Sequence, residues 1–229
     1  MGRIVHITGT DTGVGKTAVA CALARLLVGR GASPGVCKPF SSGDATDRMP
    51  ADARLLAEAA GSADPEQTVS PVRFRTPASP WAAAREEGRD SGLDRARRAV
   101  LDLDATHDIL LVEGIGGVGV PLSEGLTYVD FMATLGGAVL VVARAGLGTL
   151  NHTLLTVEAL RARRMEVAGV VLNRTGPGSD VSETLNPLAI ETFGGVPVLA
   201  DLPFRPEGPR DLTLPEGIPE AVACGLGRA

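Results

Sequence analysis

The chain has no surplus of positive charge: among its 229 residues, 22 Lys and Arg face 27 Asp and Glu, for a net charge of −5. General binding to nucleic acid needs a concentrated basic surface, so nucleic acid is not an expected partner. It also lacks an apolar run of the ~20 residues required to span a bilayer, so no membrane partner is expected. Its start runs directly into a strand-like stretch rather than a signal peptide, and the expected location is cytoplasmic. Cysteine is scarce: Cys21, Cys37 and Cys224 are widely separated, a usage that fits a reducing compartment and offers no zinc site. The three histidines, His6, His107 and His152, are equally scattered, and a structural role is expected for each.

Apolar residues are plentiful at 44% of the chain, enough for one sizeable core. A single domain over residues 1–229 is expected. Its Pro- and Gly-rich tail, 206–229, has little to bury and is expected to pack over the surface or to be mobile. Apolar runs at Ile4–Ile7, Gly35–Cys37, Ile109–Val112, Ala138–Ala143, Val167–Leu172 and Pro197–Leu199 read as strands, most of them covered on both faces. Helical spacing appears over residues 17–29, 51–60, 93–103 and 149–163, while 41–50 reads as a loop and 61–80 shows no clear period. Alternation of this kind predicts an α/β fold, a parallel β-sheet flanked by helices on both faces. In such sheets ligands bind beyond the carboxyl ends of the strands.

The first strand runs into Gly9-Thr10-Asp11-Thr12-Gly13-Val14-Gly15-Lys16-Thr17, and a helix follows. A glycine-containing turn between strand and helix makes a phosphate cradle. Backbone N–H groups converge, the helix start adds its unpaired donors, and Lys16 supplies charge. The Thr17 hydroxyl is placed for a magnesium ion carried by phosphates. The strict pattern wants a glycine at position 10, where this chain has Thr10.

The other strand ends carry further chemistry. Lys38, in Lys38-Pro39-Phe40-Ser41-Ser42-Gly43, is either a surface lysine or a second cation beside Lys16, suited to charge that builds up in a transition state. Glu113, in Glu113-Gly114-Ile115-Gly116-Gly117, stands where P-loop proteins often place the acid that orders magnesium, and its glycines would let backbone approach a ligand. Asp52 opens a helix, where the helix dipole alone favours a carboxylate. Asn173 suits either a turn or the reading of a base edge. The helix start at Gly148-Thr149-Leu150-Asn151-His152 could bind a carboxylate, or could simply be capped by Thr149.

Taken in order, the phosphate-loop segment, Lys38-Pro39-x-x-Ser42-Gly43, Glu113-Gly114-x-Gly116-Gly117 and Gly148-Thr149-Leu150-Asn151-His152 strongly resemble the dethiobiotin synthetases. The resemblance runs from residue 3 to about 205, and Thr10 in place of glycine is itself part of that family's pattern. It implies a P-loop NTPase-like fold and an ATP-dependent ligase of biotin biosynthesis. Such an enzyme carboxylates 7,8-diaminononanoate with CO2 and closes a cyclic urea, using Mg2+ and releasing ADP and phosphate. Carried over by position, Gly13, Val14, Gly15, Lys16, Thr17 and Ala18 hold the ATP phosphates. Thr17, Asp52 and Glu113 arrange the metal, with Gly114, Ile115 and Gly116 beside the nucleotide. Lys16 and Lys38 are the catalytic cations, and Ser42 touches the diamine or its carbamate. Asn173 and Arg174 read the base, flanked by Pro203, Phe204 and Arg205. The resemblance also implies a homodimer with the active site at the interface. There Gly148, Thr149, Leu150 and Asn151 take the substrate carboxylate from the other subunit. Departures are Ile115, where a small alanine is usual, and Arg210, near where an acidic residue often approaches the ribose. A partitioning or positioning ATPase of the ParA/MinD type is the rival reading. It would carry a second lysine early in the loop, and Thr10, Asp11 and Thr12 are all uncharged or acidic.

Overall fold

The computed structural model describes residues 3–44, 48–177, 181–205 and 212–226. In chain order the elements are β1 (Arg3–Gly9), α1 (Lys16–Gly29), β2 (Gly35–Cys37), β3 (Phe40–Ser42), α2 (Ala51–Ala60) and α3 (Glu66–Val69). Next come β4 (Val72–Phe74), α4 (Pro80–Glu86), α5 (Leu93–Asp104), β5 (Ile109–Gly117), β6 (Pro121–Ser123), β7 (Leu126–Thr127) and α6 (Tyr128–Leu135). The last are β8 (Ala138–Arg144), α7 (Thr149–Ala162), β9 (Glu166–Asn173), α8 (Asn186–Gly194), β10 (Val198–Leu202) and α9 (Ile218–Leu226), with a 3-10 turn at Val181–Thr184 ahead of α8.

Six strands form one sheet in the order β10-β9-β8-β1-β5-β2, every pairing parallel. Successive side chains of a strand point to opposite faces, and β5 and β8 show it directly. Leu110, Val112, Val139 and Val141 join α5, α6, α7 and α8 in one core layer. Leu111, Leu140 and Val142 join α1, α2 and α9 in the other. Burial on both faces is why Ile109–Val112 of β5 and Ala138–Ala143 of β8 are continuous apolar runs, with charge only toward the carboxyl ends. Helix α5 shows the complementary rule: Ala96, Ala99, Val100 and Leu103 are buried at helical spacing while Arg95, Arg97 and Arg98 face solvent.

Two expectations need correction, for residues 41–50 and for the tail. Residues 41–50 are not all loop, because β3 pairs in parallel with β4 in a small second sheet. The glycine-rich stretch after Glu113 continues β5 to Gly117, alongside a register slip against β1 between Ile7 and Gly9. The tail is not spare surface. Leu212, Leu214, Ile218 and Val222 are buried in the core layer that holds α1, and Arg25 of α1 donates to the Leu212 carbonyl at 2.9 Å. Their apolar spacing is interrupted by Pro and Gly, which hid it. Arg210 lies outside the described residues. No helix among the described residues is long and apolar enough to cross a membrane.

Candidate active site

The carboxyl ends of β1, β2, β3 and β5 surround a cavity of about 360 Å³. From the phosphate loop it is lined by Thr12, Gly13, Gly15, Lys16 and Thr17, and from β3 and the residue after β2 by Lys38, Ser41 and Ser42. Asp52 of α2 and Glu113, Gly114, Ile115 and Gly116 of β5 complete it. The parallel sheet thus brings together four motifs that lie up to a hundred residues apart.

Glu113 is fully buried and sits at the centre of the charge network. The sheet register places it opposite Ile7 of β1. Its Oε1 accepts from the Thr17 hydroxyl at 2.7 Å and from Lys38 Nζ at 2.7 Å, while Oε2 has no hydrogen-bond partner. Lys38 Nζ also pairs with Asp52 Oδ2 at 2.5 Å, and Asp52 Oδ1 accepts from the Ala53 N–H at the start of α2. Burial works against the Lys38 charge. The Glu113 and Asp52 carboxylates more than offset it, and the lysine titrates above its ordinary value. Lys16 behaves oppositely: burial, then the neighbouring Lys38, lowers its pKa to about 8. Its Nζ donates to the Asp11 carbonyl at 2.8 Å. Lys38 is therefore no surface lysine; it is a buried cation held between two carboxylates.

The Thr17 hydroxyl and the Asp52 and Glu113 carboxylates, the latter with its Oε2 buried and unpartnered, form an all-oxygen donor set. That set fits a hard divalent cation whose remaining positions come from phosphate and water. Its donors are all oxygen, unlike the nitrogen and sulfur cages of zinc.

Two glycines have specific reasons. Gly15 caps α1 at φ 98, and a Cβ there would stand 2.2 Å from Asn173 Nδ2. A Cβ on Gly114, which lines the cavity, would stand 2.8 Å from the Tyr128 ring, so its bareness admits the packed tyrosine.

The remaining expected residues distribute as follows. Val14 is buried beneath the loop and Ala18 sits in the first turn of α1. Asn173 is buried behind the loop, its Nδ2 donating to the Val14 carbonyl at 3.0 Å. Arg174 turns its guanidinium to Glu183 of the 3-10 turn at 2.7 Å and to Asp201 of β10 at 2.7 Å, tying the end of β9 to both. Pro203, Phe204 and Arg205 follow β10, whose Leu202 is in register with Asn173. Gly148, Thr149, Leu150 and Asn151 do not line the cavity of their own chain. Capping by Thr149 is not found either. Gly148 caps α7 in the left-handed conformation without a side-chain bond, and the buried Thr149 hydroxyl lies 3.3 Å from that of Thr153. Thr12 and Ser41 carried no role from sequence yet line the cavity; the Ser41 hydroxyl is buried without a partner. An isolated serine in a three-residue strand leaves no periodic signal. Cys37 donates to the Thr68 carbonyl, and burial pushes its thiol well above the usual range.

A parallel sheet with a strand–phosphate loop–helix unit and two lysines at its mouth defines a nucleotide-binding protein of the P-loop class. The AAA domain family matches residues 3–209. Among solved structures, the septum site-determining protein MinD from Pyrococcus horikoshii OT3 superimposes with a TM-score of 0.58. It has 19% identity and covers 98% of this chain and 95% of that one. The cell division protein FtsY from Thermotoga maritima gives 0.55 at 18% identity, covering 97% and 68%. At these identities the likeness is one of fold. Closer in sequence is the ATP-dependent dethiobiotin synthetase of Anaeromyxobacter dehalogenans strain 2CP-C, 49% identical over 205 residues, which are 90% of this chain and 92% of that protein. That of Aquifex aeolicus is 41% identical over 217 residues, 95% and 94% of the two chains. The chain belongs to the ATP-dependent dethiobiotin synthetase family.

Proposed function

We propose that this protein catalyses the ATP-dependent carboxylation and cyclisation of 7,8-diaminononanoate with CO2 to dethiobiotin. One amine of the substrate takes up CO2 as a carbamate. The γ-phosphoryl of ATP passes to a carbamate oxygen, giving a carbamic–phosphoric anhydride and ADP. The second amine then attacks the activated carbon, expels phosphate and closes the cyclic urea. A carbamate is a poor electrophile, and phosphorylation gives it a leaving group. The protein's task is to hold several anions together and neutralise them. The observation that carries the reading is the convergence of Lys16, Lys38, Thr17, Asp52, Glu113 and Ser42 on one cavity.

In this reading the phosphate-loop N–H groups and Lys16 hold the terminal phosphates, and Lys38 neutralises the carbamate and the phosphoryl group in transfer. Ser42 orients the diamine, and Asn173 presents its amide to the base beside Pro203, Phe204 and Arg205. Thr17, Asp52 and Glu113 would hold Mg2+, which when bound screens the phosphate charge. A cytoplasmic homodimer completes the proposal, with Gly148–Asn151 taking the substrate carboxylate from the other subunit. Its support is an apolar surface around α7 and α8, where Leu147, Leu155, Leu185, Leu188 and Phe193 are all more than half exposed. The test is release of phosphate from ATP in the presence of diaminononanoate and bicarbonate. Release that requires the diamine supports ring closure; hydrolysis indifferent to it refutes the proposal in favour of a switch ATPase.

A further inference from the structure

Arg144 is the last residue of β8 and has no part in the site as described so far. Its Nη2 pairs with Asp11 Oδ2 at 2.5 Å. Asp11 belongs to the phosphate loop, and three of its atoms are committed. Oδ1 accepts from the Thr12 N–H at 2.7 Å, Oδ2 meets Arg144, and the main-chain carbonyl accepts from Lys16 Nζ. The loop is tied to the same strand next door, where the Thr10 N–H donates to the Val142 carbonyl at 3.0 Å. Arg144 is also in register with Asn173 on β9, and the following Ala145 N–H donates to the Asn173 carbonyl. The guanidinium thus stands where the phosphate loop, the end of β9 and the turn into α7 meet.

We propose that Arg144 is a positioning residue of the phosphate loop: it neutralises Asp11 beside the nucleotide phosphates and fixes the carbonyl that steers Lys16. The proposal rests on the ATP-dependent reading given above. Both side chains of the pair are close to half exposed. An ion pair in that setting adds little to folding. Its effect is local: without Arg144 an uncompensated carboxylate stands in the loop that receives the polyphosphate, and the carbonyl holding Lys16 loses its restraint. The Nε of Arg144 is buried without a partner. Its fork is therefore turned toward Asp11 at the cost of a bond that a solvated arginine would make.

The test measures ATP binding by calorimetry beside steady-state kinetics for wild type, Arg144→Gln, Arg144→Lys and the double variant Asp11→Asn/Arg144→Gln. Arg144→Gln is expected to weaken ATP binding and raise KM for ATP about tenfold. Its kcat is expected to stay within about twofold, with KM for the diamine and the melting temperature unchanged. Arg144→Lys recovers part of the affinity, and the double variant binds ATP more tightly than Arg144→Gln because the offending charge is gone. Wild-type affinity in Arg144→Gln overturns the proposal, as do independent effects in the double variant or a parallel loss of kcat and melting temperature that lysine does not recover. Because binding is read directly, a wild-type protein that binds ATP without closing the ring overturns the proposed function and leaves this test intact.

Discussion

Lys38 and Glu113 depend on each other in a way that neither shows alone. Both are buried and they pair at 2.7 Å, with Asp52 as the lysine's second carboxylate at 2.5 Å. Removing one partner of such a pair leaves the other uncompensated, at a cost of about 3–5 kcal/mol. Lys38→Ala is therefore expected to lower stability as well as turnover. Its catalytic part is separable: phosphoryl transfer in a single turnover should fall by about 10³, while ADP still binds in a calorimeter. A variant that turns over normally removes Lys38 from the mechanism. Lys16 makes a second prediction through its pKa of about 8. Below that pH it carries the charge that phosphates need. Above it the free protein has lost a proton that bound phosphates restore, so ATP binding takes up protons and weakens as pH rises through 8. Calorimetry at pH 9 in buffers of different ionisation enthalpy reads the uptake directly; its absence would show that Lys16 keeps its proton in the free protein at that pH.

Elements were legible where burial is two-sided and continuous. β5 and β8 show themselves as unbroken apolar runs, and α5 as a buried stripe beside solvated arginines. β3 and β4 did not, since three residues of mixed character carry no period, and α9 did not, because Pro and Gly in and around it interrupt the apolar spacing. The site divides the same way. Lys16, Thr17, Lys38 and Glu113 stand in contiguous motifs, whereas the sharing of one lysine by Asp52 and Glu113 exists only after the sheet has formed. Arg144 ends an apolar strand and gives no local sign that Asp11 is its partner. Strand β1 carries a testable oddity, the fully buried His6, whose Nε2 donates to the Gly136 carbonyl at 2.8 Å. Burial lowers its pKa from 6.5 to about 4. The unfolded chain therefore binds a proton that the folded one refuses between those values. Stability present above pH 6.5 is lost on acidification toward pH 4, at up to about 1.4 kcal/mol per pH unit from this group. Denaturant midpoints of His6→Phe are expected to fall less steeply over that window; an identical slope would exclude His6 as the titrating group.

For the molecule as a whole, the apolar surface around α7 and α8 is the feature that a solitary protomer leaves unexplained. Sedimentation is expected to report a dimer. Leu188→Glu with Phe193→Glu, both far exposed and outside the cavity, should yield monomers that bind ATP yet turn over the diamine poorly. Full activity as a monomer would refute the shared site. Packing within the protomer sets a different constraint, on change over time. The Asn173 amide fills the space that a side chain at position 15 would occupy. Neither position can enlarge without a compensating loss at the other, because the collision reaches the loop that grips phosphate. Drift at the end of β9 is thus filtered through the first motif of the chain. Room for lineages to diverge in the base they favour is left to residues such as Pro203, Phe204 and Arg205, which lie beyond that interlock.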